Sequence, residues 1–401
     1  MSSPMNIVYL CANPGLDLEK MLGPKIHIQA ILRGLKIQNV NATLVAVQKS
    51  DSVRNYDEFE TVILPHRYLR GFVHRIVPYT GIVDSLRIFF KIIDLNRTKH
   101  FALIHERYTG LSWGSVLTAK FLKIPFILEM NGPGIEEKTI QGNPIKQSKK
   151  WLLLLNQKWF LSNSNRLILA SKLIASFIHT KRGWKLPKYH VLLNGADLPE
   201  LITPDEKAKI RSQYYAEDRP LFLYSGSLYS WYGSLNIVKS FQIVLQSYPN
   251  LKLVVIGSGD AESEMRNYIQ TNRLGDSIFM AGAMAHSALQ KVIHAVDFCL
   301  VYYPGEPTYF GTSTKITEYM SAGKSVISTP HMLEIIDDGI TGFLSKSPAP
   351  EEFADKLIEV VQNLELARTV GENARAKIES QFLWKHYTLQ LTDIYQSLVE
   401  R

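Results

Sequence analysis

The sequence predicts an α/β protein made of two doubly wound halves, each built on a parallel sheet. Short runs rich in Val, Ile and Leu alternate with longer amphipathic stretches, the rhythm of β-α-β units. Strands covered on both faces read as continuous apolar runs rather than alternating ones. The rhythm breaks once, over residues 194–205, which hold two prolines and no periodicity, and then resumes. A length of 401 residues fits two domains of roughly 100–200 residues each.

In the first half, buried strands are expected at 6–10, 43–47, 62–65, 102–104, 126–129, 167–170 and 191–193. Helical patterns fall among them, as at 26–34, 111–121 and 173–178. The second half places strands at 221–224, 252–256, 278–281, 298–302 and 325–328. Residues 351–401 read as helix, and Tyr387, Leu391, Ile394 and Leu398 stand at helical spacing in the last segment. That segment has an apolar face for either half to cover.

Composition excludes several classes. With 46 % hydrophobic and 20 % charged residues, the chain has the make-up of an ordinary globular protein whose halves can each bury a core. Cys11 and Cys299 are the two cysteines; they offer neither a disulfide framework nor metal-ligand spacing, which points to a reducing compartment. The first ten residues lack the charged and apolar regions of a signal peptide. No apolar run approaches the ~18–20 residues of a membrane span. The expected location is therefore cytoplasmic.

Charge is uneven. Residues 1–200 carry 27 Lys/Arg and 14 Asp/Glu, and residues 201–401 carry 18 and 23, so the net +8 is a basic first half joined to an acidic second one. A basic half suggests an anionic partner. Residues 146–166 interleave Lys149, Lys150 and Lys158 with Trp151, Trp159 and Phe160, and residues 67–97 are similar. A basic, aromatic-edged helix of this kind suits an anionic membrane surface, and also suits packing on its own domain. No aromatic-basic motif of a nucleic-acid binder is present.

The most informative segment is Gly311, Thr312, Ser313, Thr314 and Lys315, followed by Glu318 and Gly323. A loop of small residues after a strand and before a helix lets backbone N–H groups approach an anion, and the helix N-terminus adds positive potential. Glu318, one turn in, is placed to accept bonds from two ribose hydroxyls. Gly323 is positioned to end the helix.

This stretch resembles the signature of the retaining family 4 glycosyltransferases of the GT-B fold: a Glu, seven residues, a second Glu, then a small-residue turn and a strand. Further features follow in the family's order. Gly23 and His27 resemble the turn and His that open the first helix; Asn194-Gly-Ala-Asp197 resembles the motif at the domain junction. Gly226 and Ser227 resemble the first turn of the second domain. Gly257 and Gly259 resemble its next glycine turn, with Gly282 and Asp297 beyond. The resemblance spans about residues 5–345.

It implies two Rossmann-like domains facing across a central cleft. Residues 1–200 would bind an acceptor and 201–380 a nucleotide-sugar, with 381–401 a final helix able to cross back to the first domain. The activity implied is transfer of a hexose from a nucleoside diphosphate-sugar to an acceptor hydroxyl with retention, in polysaccharide or glycolipid assembly and without a bound metal. The partners implied are the donor, a glycan or lipid-linked acceptor, and the inner face of an anionic membrane as a peripheral contact. Donor-side residues would be Gly23, His27, Gly226, Ser227, Gly257, Gly311, Thr312, Ser313, Thr314, Lys315 and Glu318. Preorganised glycine loops and one or two cations would stabilise the leaving diphosphate.

His105, Glu106, Arg107 and Tyr108 close one strand of the first half, and Glu129 and Asn131 close the next. Ligands gather beyond the carboxyl ends of such strands. The two segments resemble a variant of the family that has Glu129 and Asn131 where many relatives place a His near the acceptor, so these two are the candidate catalytic residues. The competing reading is that Glu106 or Glu129 pairs with Arg107 inside the fold.

Two departures stand out. The residue eight before Glu318 is Phe310, so the first Glu of the paired motif is missing; Glu306 is the nearest carboxylate upstream. The family's Arg and Lys after the Gly226 turn are replaced by Ser227 and Tyr232. Lys315 is the leading replacement cation. These departures keep two alternatives open: a nucleotide-sugar epimerase or hydrolase of the same fold, and a non-catalytic sugar-nucleotide binder.

Overall fold

The computed structural model describes residues 4–12, 22–48, 58–66, 81–108, 113–136, 145, 147–305 and 313–400. The chain forms two compact units, Met1–Asn194 with Trp384–Arg401, and Gly195–Leu383.

The N-terminal unit holds a seven-stranded parallel sheet in the order β3-β2-β1-β4-β5-β6-β7. Its strands are β1 Met5–Cys11, β2 Val40–Gln48, β3 Thr61–Pro65, β4 Leu103–Arg107, β5 Phe126–Met130, β6 Arg166–Leu169 and β7 Tyr189–Val191. Its helices among the described residues are α1 Leu22–Ile37, α2 Gly81–Lys99, α3 Gly114–Leu122, α4 Gln147–Ser162, α5 Lys172–Arg182 and, from the end of the chain, α13 Trp384–Val399. The middle strands are buried along their length, as expected for a sheet covered on both faces. Helix α13 packs on α1, where Gly34 admits Thr388: a Cβ at Gly34 would stand 2.4 Å from its methyl. Trp384, Tyr387, Leu391, Ile394 and Tyr395 enter one core with Ile7, Tyr9, Ile31 and Leu35.

The C-terminal unit holds a six-stranded parallel sheet in the order β10-β9-β8-β11-β12-β13. Its strands are β8 Leu221–Ser225, β9 Lys252–Ile256, β10 Ile278–Gly282, β11 Phe298–Val301, β12 Ser325–Ser328 and β13 Phe343–Leu344. Its helices are α6 Pro204–Ser212, α7 Ser234–Ser247, α8 Glu262–Thr271, α9 His286–Ala295, α10 Thr314–Ser321, α11 Pro350–Gln362 and α12 Leu364–Lys377. A capping box closes the start of α6: Thr203 Oγ1 accepts from the Glu206 N–H, and Glu206 accepts from the Thr203 N–H.

Each predicted strand has a counterpart here, with one shifted: the run at 191–193 lies two residues past β7. Strand β13 has only two residues, too few to show a period. Gly323, at φ 70°, follows α10 as expected, and its N–H bonds the Met320 carbonyl. Asp297 accepts from Arg211 Nη1 and from the Leu221 N–H, tying β8 to β11 at their amino ends. Both cysteines are buried and free.

Candidate functional site

In the C-terminal unit the strand order reverses where β8 lies beside β11. Such a switch point opens a crevice at the carboxyl ends of the strands. Gly226 leaves β8 there and Tyr303 follows β11. Lys315, in the first turn of α10, lies over both: its Nζ stands 4.8 Å from the Tyr224 ring centroid and 5.8 Å from that of Tyr303. The rings offer cation–π attraction. Among the described residues no carboxylate pairs with Lys315, and burial pushes its ammonium down to about 8.

The glycine turns act differently from the cradle expected. The Gly226 N–H bonds the Ile256 carbonyl and the Gly257 N–H bonds the Gly282 carbonyl, so neither amide is open to an anion. Their role is space. A Cβ at Gly226 (φ 138°) would stand 2.7 Å from Lys315 Nζ, and one at Gly257 (φ 145°) would stand 1.8 Å from the Gly226 carbonyl oxygen. Ser227 is exposed beyond the turn, Ser313 is buried just before α10 and Thr314 begins it half-buried. The amino end of α10 adds positive potential beside Lys315. Gly311, Thr312, Phe310 and Glu306 lie outside the described residues.

Glu318 is half-buried one turn beyond Lys315. Its Oε1 lies 3.1 Å from Nε2 of His286, the first residue of α9. That hydrogen bond raises the His286 pKa against the opposing effect of burial. The sign follows: the pair's contribution to stability is complete below the unfolded His value near 6.5 and is lost as pH rises through the higher folded value.

In the N-terminal unit one carboxylate organises the end of the sheet. Glu129, 1 % exposed, receives five side chains. Oε1 takes His27 Nε2 at 2.9 Å, Asn131 Nδ2 at 2.5 Å and Arg107 Nη1 at 3.3 Å. Oε2 takes the Tyr9 hydroxyl at 2.8 Å and lies 3.3 Å from His105 Nε2. Burial alone would raise the Glu129 pKa; the charge of His27, the close approach of the His105 imidazole, the hydrogen bond to His27 and the charge of Arg107 outweigh it and hold the carboxyl well below the usual range. His27 uses its other nitrogen on Asn194 Oδ1 at 2.8 Å, and its ring meets Trp384 and Tyr387 of α13 edge-on. His105 Nδ1 lies 2.5 Å from the Tyr395 hydroxyl.

Glu129 and His27 are thus engaged inside the fold, and Asn131 and Arg107, which also bond Glu129, are the half-buried members of the network. Gly23 lies within the first turn of α1, and a Cβ there would meet nothing within 4 Å; no close approach requires a glycine. Glu106 does not pair with Arg107. It faces the other side of β4 and accepts from the Ser115 hydroxyl, and burial raises its carboxyl to about 8. The sequence reading missed Tyr9, Tyr395 and His286. Polar rings inside otherwise apolar runs were the available signal for Tyr9 and His105. Among the described residues no group of three or more His, Cys, Asp or Glu is arranged to hold a metal ion.

Residues 205–377 match the family model described as glycosyl transferases group 1. The chain is 26 % identical over 212 residues to an uncharacterized glycosyltransferase of Methanocaldococcus jannaschii, covering 52 % of this chain and 53 % of that one. A second uncharacterized glycosyltransferase of the same organism is 23 % identical over 384 residues, 94 % of this chain and 95 % of the relative. The fold is similar to that of Anabaena HepE in complex with UDP, with a TM-score of 0.76 and 16 % identity over 98 % of this chain and 100 % of that one. The fold is that of the GT-B glycosyltransferases, and residues 205–377 are similar to the glycosyl transferases of group 1.

Proposed function

We propose that the chain is a retaining family 4 glycosyltransferase that moves a hexose from a nucleoside diphosphate-sugar to an acceptor hydroxyl in polysaccharide or glycolipid assembly. The observation that carries this reading is the pair on α10: Lys315 over the switch-point crevice and Glu318 one turn further. Glu318 binds the donor ribose. Lys315 and the first turn of α10 hold the diphosphate and stabilise the charge that grows as the bond from the anomeric carbon to its phosphate oxygen breaks. The leaving phosphate takes the acceptor proton as the new bond forms on the same face. No resident metal enters this reading. In the N-terminal unit Asn131 meets a lipid-linked acceptor, and Glu129 positions Asn131 through their hydrogen bond. UDP, present in the HepE structure, is the first donor nucleotide to try.

The test is nucleoside diphosphate release from a panel of nucleotide sugars in EDTA, with and without an undecaprenyl-type lipid-linked acceptor, and the anomeric coupling of any product by NMR. Acceptor-dependent release with retention is expected. Release that ignores the acceptor would favour the hydrolase or epimerase alternative, and an inverted product would remove the retaining assignment.

Glu318→Ala is expected to weaken nucleotide binding by roughly 1.5–3 kcal/mol, the range for hydrogen bonds to a charged group. Calorimetry with the free nucleotide decides it, and an unchanged affinity would reject the ribose role.

A further inference from the structure

We infer that Tyr229, Trp231 and Tyr232 form a stacking platform for a pyranose ring, the sugar that the donor carries beyond its diphosphate. The platform is one tight turn around Ser230–Tyr232, between β8 and α7. Turns are usually made of Gly, Pro, Asn, Asp or Ser; this one places three aromatic rings in four residues. Tyr229 is 40 % exposed, and Trp231 and Tyr232 are half-buried. The rings lie against one another. The centroids of Trp231 and Tyr232 stand 3.8 Å apart, and Tyr229 lies 5.9 Å from Trp231 with the two planes 12° apart. The backbone beneath is fixed without help from the rings. The Tyr232 and Gly233 N–H groups bond the carbonyls of Tyr229 and Ser230. Asp260 Oδ1 accepts from the Ser230 N–H at 2.8 Å, and the Ser234 hydroxyl donates to the Tyr229 carbonyl. A turn ordered in this way has little freedom left to lose when a ligand arrives.

Position selects the occupant. Tyr232 meets the Tyr303 ring edge-on at 5.5 Å, and Lys315 Nζ lies 5.8 Å from that same ring. The platform therefore begins one aromatic side chain away from the cation assigned to the diphosphate. Glu318 and His286 belong to α10 and α9, which pack in the core on one face of the sheet, whereas the turn runs into α7, which packs in the core on the other. A donor with its ribose at Glu318 and its diphosphate at Lys315 has its sugar as the next group, toward the turn. A pyranose suits rings of this type. Its axial C–H groups make an apolar face that covers an aromatic one, and its hydroxyls can meet the Tyr O–H and Trp N–H groups at the rim. A nucleobase also stacks on aromatic rings, but here the ribose stands between it and the diphosphate, at the opposite end of the ligand. The inference rests on the proposed donor reading for this order of groups.

Saturation-transfer NMR on the full chain tests it, with UDP-glucose and methyl α-glucoside as probes. In the wild type, saturation is expected to reach the glucose C–H protons of both probes, together with the uracil and ribose protons of UDP-glucose. Trp231→Ala, and independently Tyr229→Ala at the exposed position, should remove most of the transfer to glucose and leave that to uracil and ribose. By calorimetry the affinity for UDP-glucose should fall roughly twofold to tenfold, the worth of one aromatic stacking contact, with the affinity for UDP unchanged. Trp231→Tyr should restore it. Equal losses for UDP and UDP-glucose would overturn the inference, because the rings would then serve the base or the fold of the turn. So would glucose signals that persist in both alanine variants, or no transfer to glucose from either probe in the folded wild type. Transfer to methyl α-glucoside that the variants lose, in a wild type that binds no UDP, would uphold the platform and count against the donor reading alone.

Discussion

Glu129→Gln is expected to cost the N-terminal unit roughly 3–5 kcal/mol, the usual penalty for breaking one partner out of a buried charged network. For a domain of this size that corresponds to a melting temperature lower by roughly 6–20 °C. The amide keeps the shape of the carboxylate but cannot answer Arg107 and two imidazoles, and its NH2 would face groups that all donate to Glu129 in the wild type. Hydrogen-exchange protection should fall first in α1, β4, β5 and α13, because His27, His105 and Tyr395 link α1, β4 and α13 to the carboxylate on β5. The pH dependence has the matching sign. A carboxyl held below its unfolded value contributes stability above about 4.5 and loses it as pH falls through the lower folded value. Were Glu129 the catalytic base instead, the amide would abolish turnover and leave protection and melting unchanged. That outcome would sink the anchoring role.

This network shows where sequence reading stops. The strands were legible because a sheet covered on both faces makes its strands continuous apolar runs. The glycine turns after β8 and β9 and the start of α10 were legible as local patterns. Two of Glu129's partners are far from local: His27 and Tyr9 stand 102 and 120 residues away in the chain. What brings them together is register, with Tyr9 beside His105, Cys11 beside Arg107 and Arg107 beside Glu129. A slip of one residue would turn each side chain to the opposite face, and nothing within a single run states the pairing. Helix α13 adds Trp384, Tyr387 and Tyr395 after the chain has passed through the whole C-terminal unit. The glycine turns were found for a partly wrong reason. Flexible turns suggested open amides, yet the amides of Gly226 and Gly257 are used by the sheet and the missing side chains leave room for a lysine and a carbonyl. His286 escaped because its meeting with Glu318 depends on two connections reaching the same edge of the sheet.

The largest functional effect is expected at Lys315. Lys315→Met keeps most of the stem and removes the ammonium. Binding of the nucleoside diphosphate should weaken by roughly 1.5–3 kcal/mol, the worth of a hydrogen bond to a charged group. Turnover should fall further, by about 10²–10³, because charge on the leaving diphosphate is greatest in the transition state. The nucleoside alone, which carries no phosphate, should bind as before. The absence of the family's Arg and Lys at Ser227 and Tyr232 makes this test sharp, since neither replacement supplies a cation. The depressed pKa supplies a second readout. With the free ammonium titrating near 8, wild-type affinity for the diphosphate should be highest below that pH and decline as pH rises through it. A bound anion favours the protonated form, so the decline should level off at the higher pKa of the complex. Lys315→Met should bind weakly and with no such step. Isothermal titration at several pH values with the nucleoside and its diphosphate separates the cases. Equal losses for both ligands would mean that the substitution disturbs the pocket as a whole, and Lys315 would then have no claim to the diphosphate.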